Sequence, residues 1–268
     1  MATAALSNIQ KITPYVVLNS VDSSPLKQRR KKSIESHEEA LNQNPTGPKI
    51  QHRRYNSVVE LNLVGSHLLL TEAQLICFTG LKALRMPNMG LKKIPGVVGA
   101  LIVLEELDVS GNKIKEITRN IIFCRSMKRL FLQDNAIMQL GDEVAALKNL
   151  EEVNFSDNSV EEFPLCLKNL SHLQIVNAAG NHIEKVPHFL KEMRSLKKLD
   201  VRENPLIKIS SRAVFFLAKK CQLQSLLIDG SHLRLFDPEL CFKLQNRQVI
   251  EGVFKRTLSM MPIGGLWD

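Results

Sequence analysis

The sequence predicts an α/β solenoid shaped like a horseshoe. Parallel strands line its concave face, and short helices and turns its convex face. Three observations carry this. A pattern of the form L-x-x-L-x-L-x-x-N-x-L recurs at a fixed step: its first anchors are Val58, Leu81, Leu104, Met127, Leu150, Leu173, Leu196 and Leu223, 23 residues apart six times running and then 27. Within each copy, apolar residues alternate with an outward one at the period of a strand. In the second half of the unit, an apolar–Pro pair is followed by apolar residues at three-residue spacing, as in a helical turn buried on one side. A fixed period of about 20–29 residues with these features marks stacked supersecondary units.

Each position has a physical reason. In Leu104-Leu107-Val109-Asn112-Ile114, Leu107 and Val109 point into the solenoid and Asp108 points out of its concave face. Strands are expected near 61–63, 84–86, 107–109, 130–132, 153–155, 176–178, 199–201 and 226–228. The Asn after each strand sits where the chain turns, and its amide can serve backbone groups left unpaired there. Asn112, Asn135, Asn158, Asn181 and Asn204 fill this slot and are expected to stack as a ladder. Ser66 and Ser231 can do a weaker version of the job; Met89 cannot, so the second repeat is expected to be looser there. On the convex side, Ile94-Pro95, Phe163-Pro164 and Val186-Pro187 open a helical turn, with Pro at the first helical position, where its missing N–H costs nothing. Val98, Leu167 and Leu190, then Leu101, Leu170 and Met193, form the buried face of that turn. Cys124 stands in the slot of Leu170 and reads as a small buried hydrophobe.

Residues 1–56 show no strand or helix period beyond the run Tyr15–Leu18, and are expected to be a mostly disordered basic arm, with Glu35–Leu41 a marginal helix. The arm holds nine basic and four acidic residues, +5 of the net +9, so the solenoid itself is close to balanced. That balance argues against a nucleic-acid-binding surface. The solenoid spans 57–233 in eight repeats, and its longer seventh repeat carries Ser210–Lys220, expected to be a true helix. Asp237-Pro238-Glu239 starts a helical cap over 234–258, with Asp as N-cap and Pro at the first helical position. Leu240, Phe242, Leu244, Val249, Ile250, Val253 and Phe254 then cover the open end of the core, and 259–268 is a tail.

Met1–Ser20 lack the basic and apolar regions of a signal peptide, and no apolar run is long enough to span a bilayer. The five cysteines are scattered and lack CxxC spacing. Together these point to a reducing compartment, cytosol or nucleus.

The 23-residue unit with its leucine strand, turn Asn and apolar–Pro pair resembles the leucine-rich repeat, and within it the intracellular proteins of the Ras-suppressor, Erbin and plant Ras-group type. The resemblance covers roughly 58–233. It implies a non-catalytic scaffold or adaptor that binds a protein on its concave face. The partner it implies is a small GTPase, a phosphatase or a component of a kinase pathway.

The outward strand positions are Asn62, Arg85, Asp108, Phe131, Asn154, Asn177, Asp200 and Leu227. Beside them lie Glu105, Glu106, Lys128, Arg129, Glu151, Glu152, Lys197, Lys198, Arg202 and Glu203. Charge alternates from repeat to repeat, which suits a solvated ladder of weak ion pairs. It equally suits a partner surface with Phe131 as its exposed apolar anchor, because an aromatic ringed by charge is the usual make-up of a hot spot. The candidate binding residues on this second reading are Phe131, Arg129, Lys128, Asp108, Glu106, Arg85, Asn154, Glu152, Asn177, Asp200 and Arg202.

Ser33, Ser57 and Ser259 follow basic residues at spacings that basophilic kinases read, and are candidate phosphorylation sites. The run Lys27–Lys32 reads either as a solvated linker or as a nuclear-localisation tract. Pro205-Leu206 with Ser210 and Val214 loosely fits the box by which cullin ubiquitin-ligase substrate receptors hold elongin C, with Leu206, Ser210 and Val214 on one helical face. Arg212–Phe216 matches a phosphatase-docking pattern but reads as core. A nuclear adaptor is a further alternative. No phosphate-binding glycine loop and no HExxH occurs, and His172, His182 and His188 lack partners at ligand spacing. The sequence therefore points to no enzyme, no metal and no cofactor.

Overall fold

The computed structural model describes residues 17–20, 58–63, 75–210, 213–214, 216, 223–235 and 250–251. In chain order the strands are β1 (Val17–Ser20), β2 (Val58–Asn62), β3 (Ala83–Arg85), β4 (Glu106–Asp108), β5 (Arg129–Phe131), β6 (Glu152–Asn154), β7 (Ile175–Asn177), β8 (Lys185–Val186), β9 (Lys198–Asp200), β10 (Lys208–Ile209), β11 (Ser225–Leu227) and β12 (Ile250–Glu251). The large sheet has the order β1-β2-β3-β4-β5-β6-β7-β9-β11-β12, and β8 pairs with β10 in a small second sheet. All eight repeat strands are parallel, as expected, and pair in register at the 23-residue step, or 27 between β9 and β11. They begin and end about one residue earlier than the sequence suggests. The last apolar residue of each motif already leads into the turn, although its N–H still reaches the next strand, as from Val109 N to Phe131 O at 3.0 Å.

Two further strands flank the repeats. β1, built on the apolar run around Val17, lies antiparallel along β2. β12 lies parallel to β11. Ile250, assigned from the sequence to a helical cap, is thus extended. The free edge of β11 carries unpaired backbone groups, and a strand can satisfy them. The rest of the basic arm and of the cap lies outside the described residues, as do Ser33, Ser57, Ser259, Lys27–Lys32, Ser66 and most of Ser210–Lys220. Within that last stretch Ala213 and Val214 are helical, with Val214 N bonded to Ser210 O at 3.0 Å.

The core is a continuous column of aliphatic side chains. Leu104, Leu107, Val109, Ile114, Leu130, Leu132, Ile137 and their counterparts are fully buried. Phe155, the largest of the fully buried side chains, occupies the slot that the next repeat fills with Ala178, also fully buried. A large residue beside a small one keeps the layer spacing constant.

On the convex side, five-residue 3-10 helices span Gly96–Ala100, Arg119–Phe123, Asp142–Ala146, Leu165–Asn169 and His188–Glu192. Their i→i+3 bonds fit the three-residue apolar spacing, because a 3-10 helix has 3.0 residues per turn. Val98, Leu167 and Leu190 are fully buried, as expected. The prolines sit one residue earlier than expected: Pro95, Pro164 and Pro187 are extended residues at the helix cap, and the Pro95 carbonyl accepts from Val98 N at 3.1 Å. Gly99 packs so closely that a Cβ there would lie 2.5 Å from Asn120 O. Cys124 is fully buried, its Sγ–H donating to Val98 O at 3.2 Å, and burial pushes its thiol up to about 11.

The turn after each strand follows one plan. Asn158 Nδ2 donates to Phe155 O and Ser156 O of its own repeat and to Leu132 O of the repeat before, while its Oδ1 accepts from Ile137 N at 2.9 Å. Asn135, Asn181 and Asn204 repeat this pattern. Each Asn therefore serves the preceding repeat as well as its own. This corrects the expectation for Met89. Its own N–H and that of Leu91 both donate to Asn112 Oδ1 at 3.0 Å, so the second repeat's turn is held by the third repeat's Asn.

The residue just before each turn Asn, or before Met89, has positive φ: Asn88, Gly111, Asp134, Asp157, Gly180 and Glu203. Glycine, Asn and Asp tolerate that region; Glu203, with φ 55°, is the misfit.

Three outcomes follow in urea denaturation. Asn158→Ala costs about 1–3 kcal/mol, from buried groups left unpaired. Leu130→Ala costs about 2–5 kcal/mol. Glu203→Gly stabilises by about 0.5–1 kcal/mol, the left-handed strain relieved less the added chain entropy. Destabilisation by Glu203→Gly would show that its side chain does more than endure its backbone.

Candidate functional site

Parallel pairing in register sorts the outward side chains of the inner sheet into three columns. The first holds Lys82, Glu105, Lys128, Glu151, Gln174 and Lys197, just ahead of the strands. The second holds Glu60, Ala83, Glu106, Arg129, Glu152, Ile175, Lys198 and Ser225. The third holds Asn62, Arg85, Asp108, Phe131, Asn154, Asn177, Asp200 and Leu227.

Much of the charge is already used within the face. Glu105 sits between Lys82 Nζ at 3.0 Å and Lys128 Nζ at 2.8 Å. The hydrogen bond from Lys128, then that from Lys82, holds the Glu105 carboxyl below its usual range. Glu106 is gripped from both sides: Arg129 Nε and Nη2 reach its Oε2 at 2.7 and 2.6 Å, and Arg85 Nη2 reaches its Oε1 at 2.5 Å. Its side chain is 7% exposed. A buried carboxylate held by two guanidinium groups is a structural bond, and losing either partner leaves charge unmatched.

The third column has a local job that the sequence reading missed. Asp108 Oδ1 accepts from Ser110 N at 2.9 Å and from its hydroxyl at 2.6 Å. Asn154 Oδ1 accepts from Ser156 N and Asn177 Oδ1 from Ala179 N. Asp200 accepts from Arg202 N and takes the Arg202 guanidinium as a fork, Nη2 at 2.6 Å from Oδ2. Asx side chains thus close the strand exits through the N–H two residues on. The signal was present: Asp or Asn recurs at this position in five repeats, which an Asx turn requires and a binding surface does not.

The candidate binding residues therefore divide. Glu106 and Asp200 are buried, 5% and 3% exposed, contrary to their placement on an open face. Paired guanidiniums cover them. Arg85, Arg129, Lys128 and Arg202 are committed to ion pairs, and Asp108, Asn154 and Asn177 to their own backbone. Phe131 is partly buried, not fully exposed; it stands in register between Asp108 and Asn154 of the neighbouring strands. Glu152 and Lys198 make no ion pair or side-chain hydrogen bond among the described residues. Ile175 and Leu227, both partly exposed, add apolar surface to the face, and the sequence reading did not single out Ile175. Its 23-residue offset from Glu152 and Lys198 is what places it there.

The remaining motifs are structural. Leu206 and Val214 are buried at 5% and 1%, and Lys208–Ile209 are extended, so the elongin-type box has no single helical face. His172, His182 and His188 are exposed, and among the described residues no group of three His, Cys, Asp or Glu side chains converges on a metal position. No described helix is long and apolar enough to cross a membrane.

No family profile matches the chain, and neither does any curated protein sequence. Solved structures do. A leucine-rich repeat protein of Leptospira interrogans superposes with TM-score 0.61 at 24% identity, covering 65% of this chain and 44% of that one. Internalin C2 of Listeria monocytogenes gives 0.57 at 21% identity, covering 65% and 72%. The plant peptide hormone receptor RGFR1 in complex with RGF2 gives 0.50 at 19% identity, covering 65% and 32%. The matched region is less than half the length of the Leptospira protein.

Acidification tests the charge ladder. Glu105 has a folded-state pKa below its unfolded value, so the stability it contributes is present above the unfolded pKa and is lost as pH falls through the folded one. Glu105→Gln should therefore lose less stability between neutral and strongly acidic pH than the wild type. Equal slopes in pH-dependent urea titrations would mean that solvent screens the pair completely. Geometry, repeat spacing and superposition agree on the architecture: by fold the chain is a leucine-rich repeat solenoid.

Proposed function

We propose that this chain is a non-catalytic scaffold or adaptor whose concave face binds a protein partner. The observation that carries this is the centre of the inner sheet. Most of its charge is neutralised internally, yet Phe131 and Leu227 in the third column and Ile175 in the second leave partly exposed apolar groups on the face, and Glu152 and Lys198, the register neighbours of Ile175, make no ion pair among the described residues. A ladder serving only the fold needs no apolar groups on its solvent side. Partly exposed aromatic and aliphatic side chains beside unpaired charges of both signs are the composition of an interface core with its orienting rim. The partner this composition fits presents an apolar projection flanked by mixed charge.

The repeat spacing supports a finer reading. The 23-residue unit resembles that of the intracellular Ras-suppressor and Erbin type, and on that resemblance the proposed setting is cytoplasmic signalling, with a small GTPase, phosphatase or kinase-pathway protein as the partner class. Internalin and receptor neighbours share only the fold. Phosphorylation at Ser33, Ser57 or Ser259 is part of the same proposal, each site adding about −2 charge beside basic residues.

The test is affinity purification with mass spectrometry, wild type beside a concave variant, followed by calorimetric titration of the partner recovered. Arg129→Glu is a poor choice, because it would set a second carboxylate against the buried Glu106. Phe131→Ala combined with Lys198→Glu touches no core slot or ion pair. Phe131→Ala is expected to change folding stability by no more than about 0.5 kcal/mol. It should weaken binding by about 1 kcal/mol or more. Full retention of every partner by the well-folded double variant would move the binding site off the concave centre.

A further inference from the structure

The outer face carries a second patch whose chemistry the concave site does not use. In the 3-10 helix Arg119–Phe123, Ile122 and Phe123 are 36% and 52% exposed, and Ile102, one repeat earlier, is 63% exposed. The fold does not require apolar groups there. Two repeats on, the columns of Ile122 and Phe123 hold Lys168 and Asn169, and the column of Ile102 continues with Arg125, Lys148 and Ser171. Ile122, Phe123 and Ala146 form the floor of a shallow groove of about 450 Å³. Arg125, Lys148 and Asn149 form its rim, and Asn149 Nδ2 ties the wall together by donating to Arg125 O at 2.8 Å. No carboxylate lines the groove, and neither Arg125 nor Lys148 makes an ion pair among the described residues.

We propose that this groove is a second docking site, taking an acidic short linear segment of a partner protein. One large apolar side chain rests on Ile122, Phe123 and Ala146, and carboxylates on either side of it meet Arg125 and Lys148. The charge decides the occupant. A basic segment is repelled by the two rim cations. An uncharged apolar segment would cover them without supplying partners, at a desolvation cost. An acidic segment satisfies both while burying the floor. The site is separate from the concave face and stands or falls independently of it.

The experiment uses the full chain and a fluorescein-labelled ten-residue peptide with Leu-Phe at its centre and two Asp or Glu on each side. Fluorescence anisotropy should show saturable binding that weakens as salt rises. Phe123→Ser, and separately the pair Arg125→Glu and Lys148→Glu, should each weaken it by about tenfold or more. Phe131→Ala on the concave face should leave it unchanged. A peptide with Lys in place of every acid should not bind. All these positions lie outside the core, so circular dichroism should be the same throughout. Absence of binding at millimolar peptide, equal binding of the Lys peptide, or retention in both groove variants would overturn the proposal. So would a concentration-dependent dimer in sedimentation that Phe123→Ser abolishes, which would assign the groove to a second copy. Vesicles of phosphatidylserine binding through the same residues without peptide binding would assign it to an anionic bilayer.

Discussion

The solenoid rests on one repeated turn. A strand ends, the third residue after it adopts a left-handed backbone conformation in six successive repeats, and an Asn amide behind it bonds four backbone groups at once. Two of those groups belong to the repeat before. The polar ladder therefore joins neighbours in the same way as the aliphatic core does, and both contributions are nearest-neighbour in character. Each Asn thus acts one repeat upstream as well as in its own, as where Asn112 accepts from the N–H groups of Met89 and Leu91. The constant turn also keeps the strands in register, and that register lines up side chains 23 residues apart into columns. Both faces of the molecule inherit their chemistry from this alignment.

The alignment has a cost on the concave face. Charges brought side by side must be matched, and the structure matches most of them internally. Glu105 lies between two lysines, Glu106 between two arginines, and Asp200 beneath Arg202. The Asx residues of the third column are turned to the chain's own N–H groups. What is left for a partner is smaller and more apolar than a charge pattern suggests: Phe131, Ile175 and Leu227, with Glu152 and Lys198. The exposed pairs of Glu105 with its lysines add little stability individually, so their main effect is to set which groups remain free.

The convex face obeys the same rule with less constraint. Its 3-10 helices need apolar residues only at every third position, so the intervening columns vary, apart from Gly99, whose close packing on Asn120 leaves no room for a Cβ. They are small or apolar through Gly99, Ile122, Phe123 and Ala146 and polar through Lys168, Asn169 and Ser171. A change of composition along one column, with no change of fold, separates what the solenoid needs from what lies on its surface.

The sequence by itself determined the repeat count, the parallel strands, the buried aliphatic slots, the Asn ladder and the burial of Cys124. These depend on period and residue type, and both are visible in one dimension. Tertiary structure decided three things. It showed that Glu106 and Asp200 are covered, because burial of a charge depends on partners 23 residues or one turn away that close over it. It placed the prolines one residue outside their helices, because a 3-10 turn, tighter than an α-helix, begins after the extended cap. It made Ile250 an edge strand, because the open side of β11 presents backbone groups to pair, a demand that no local pattern around Ile250 reveals.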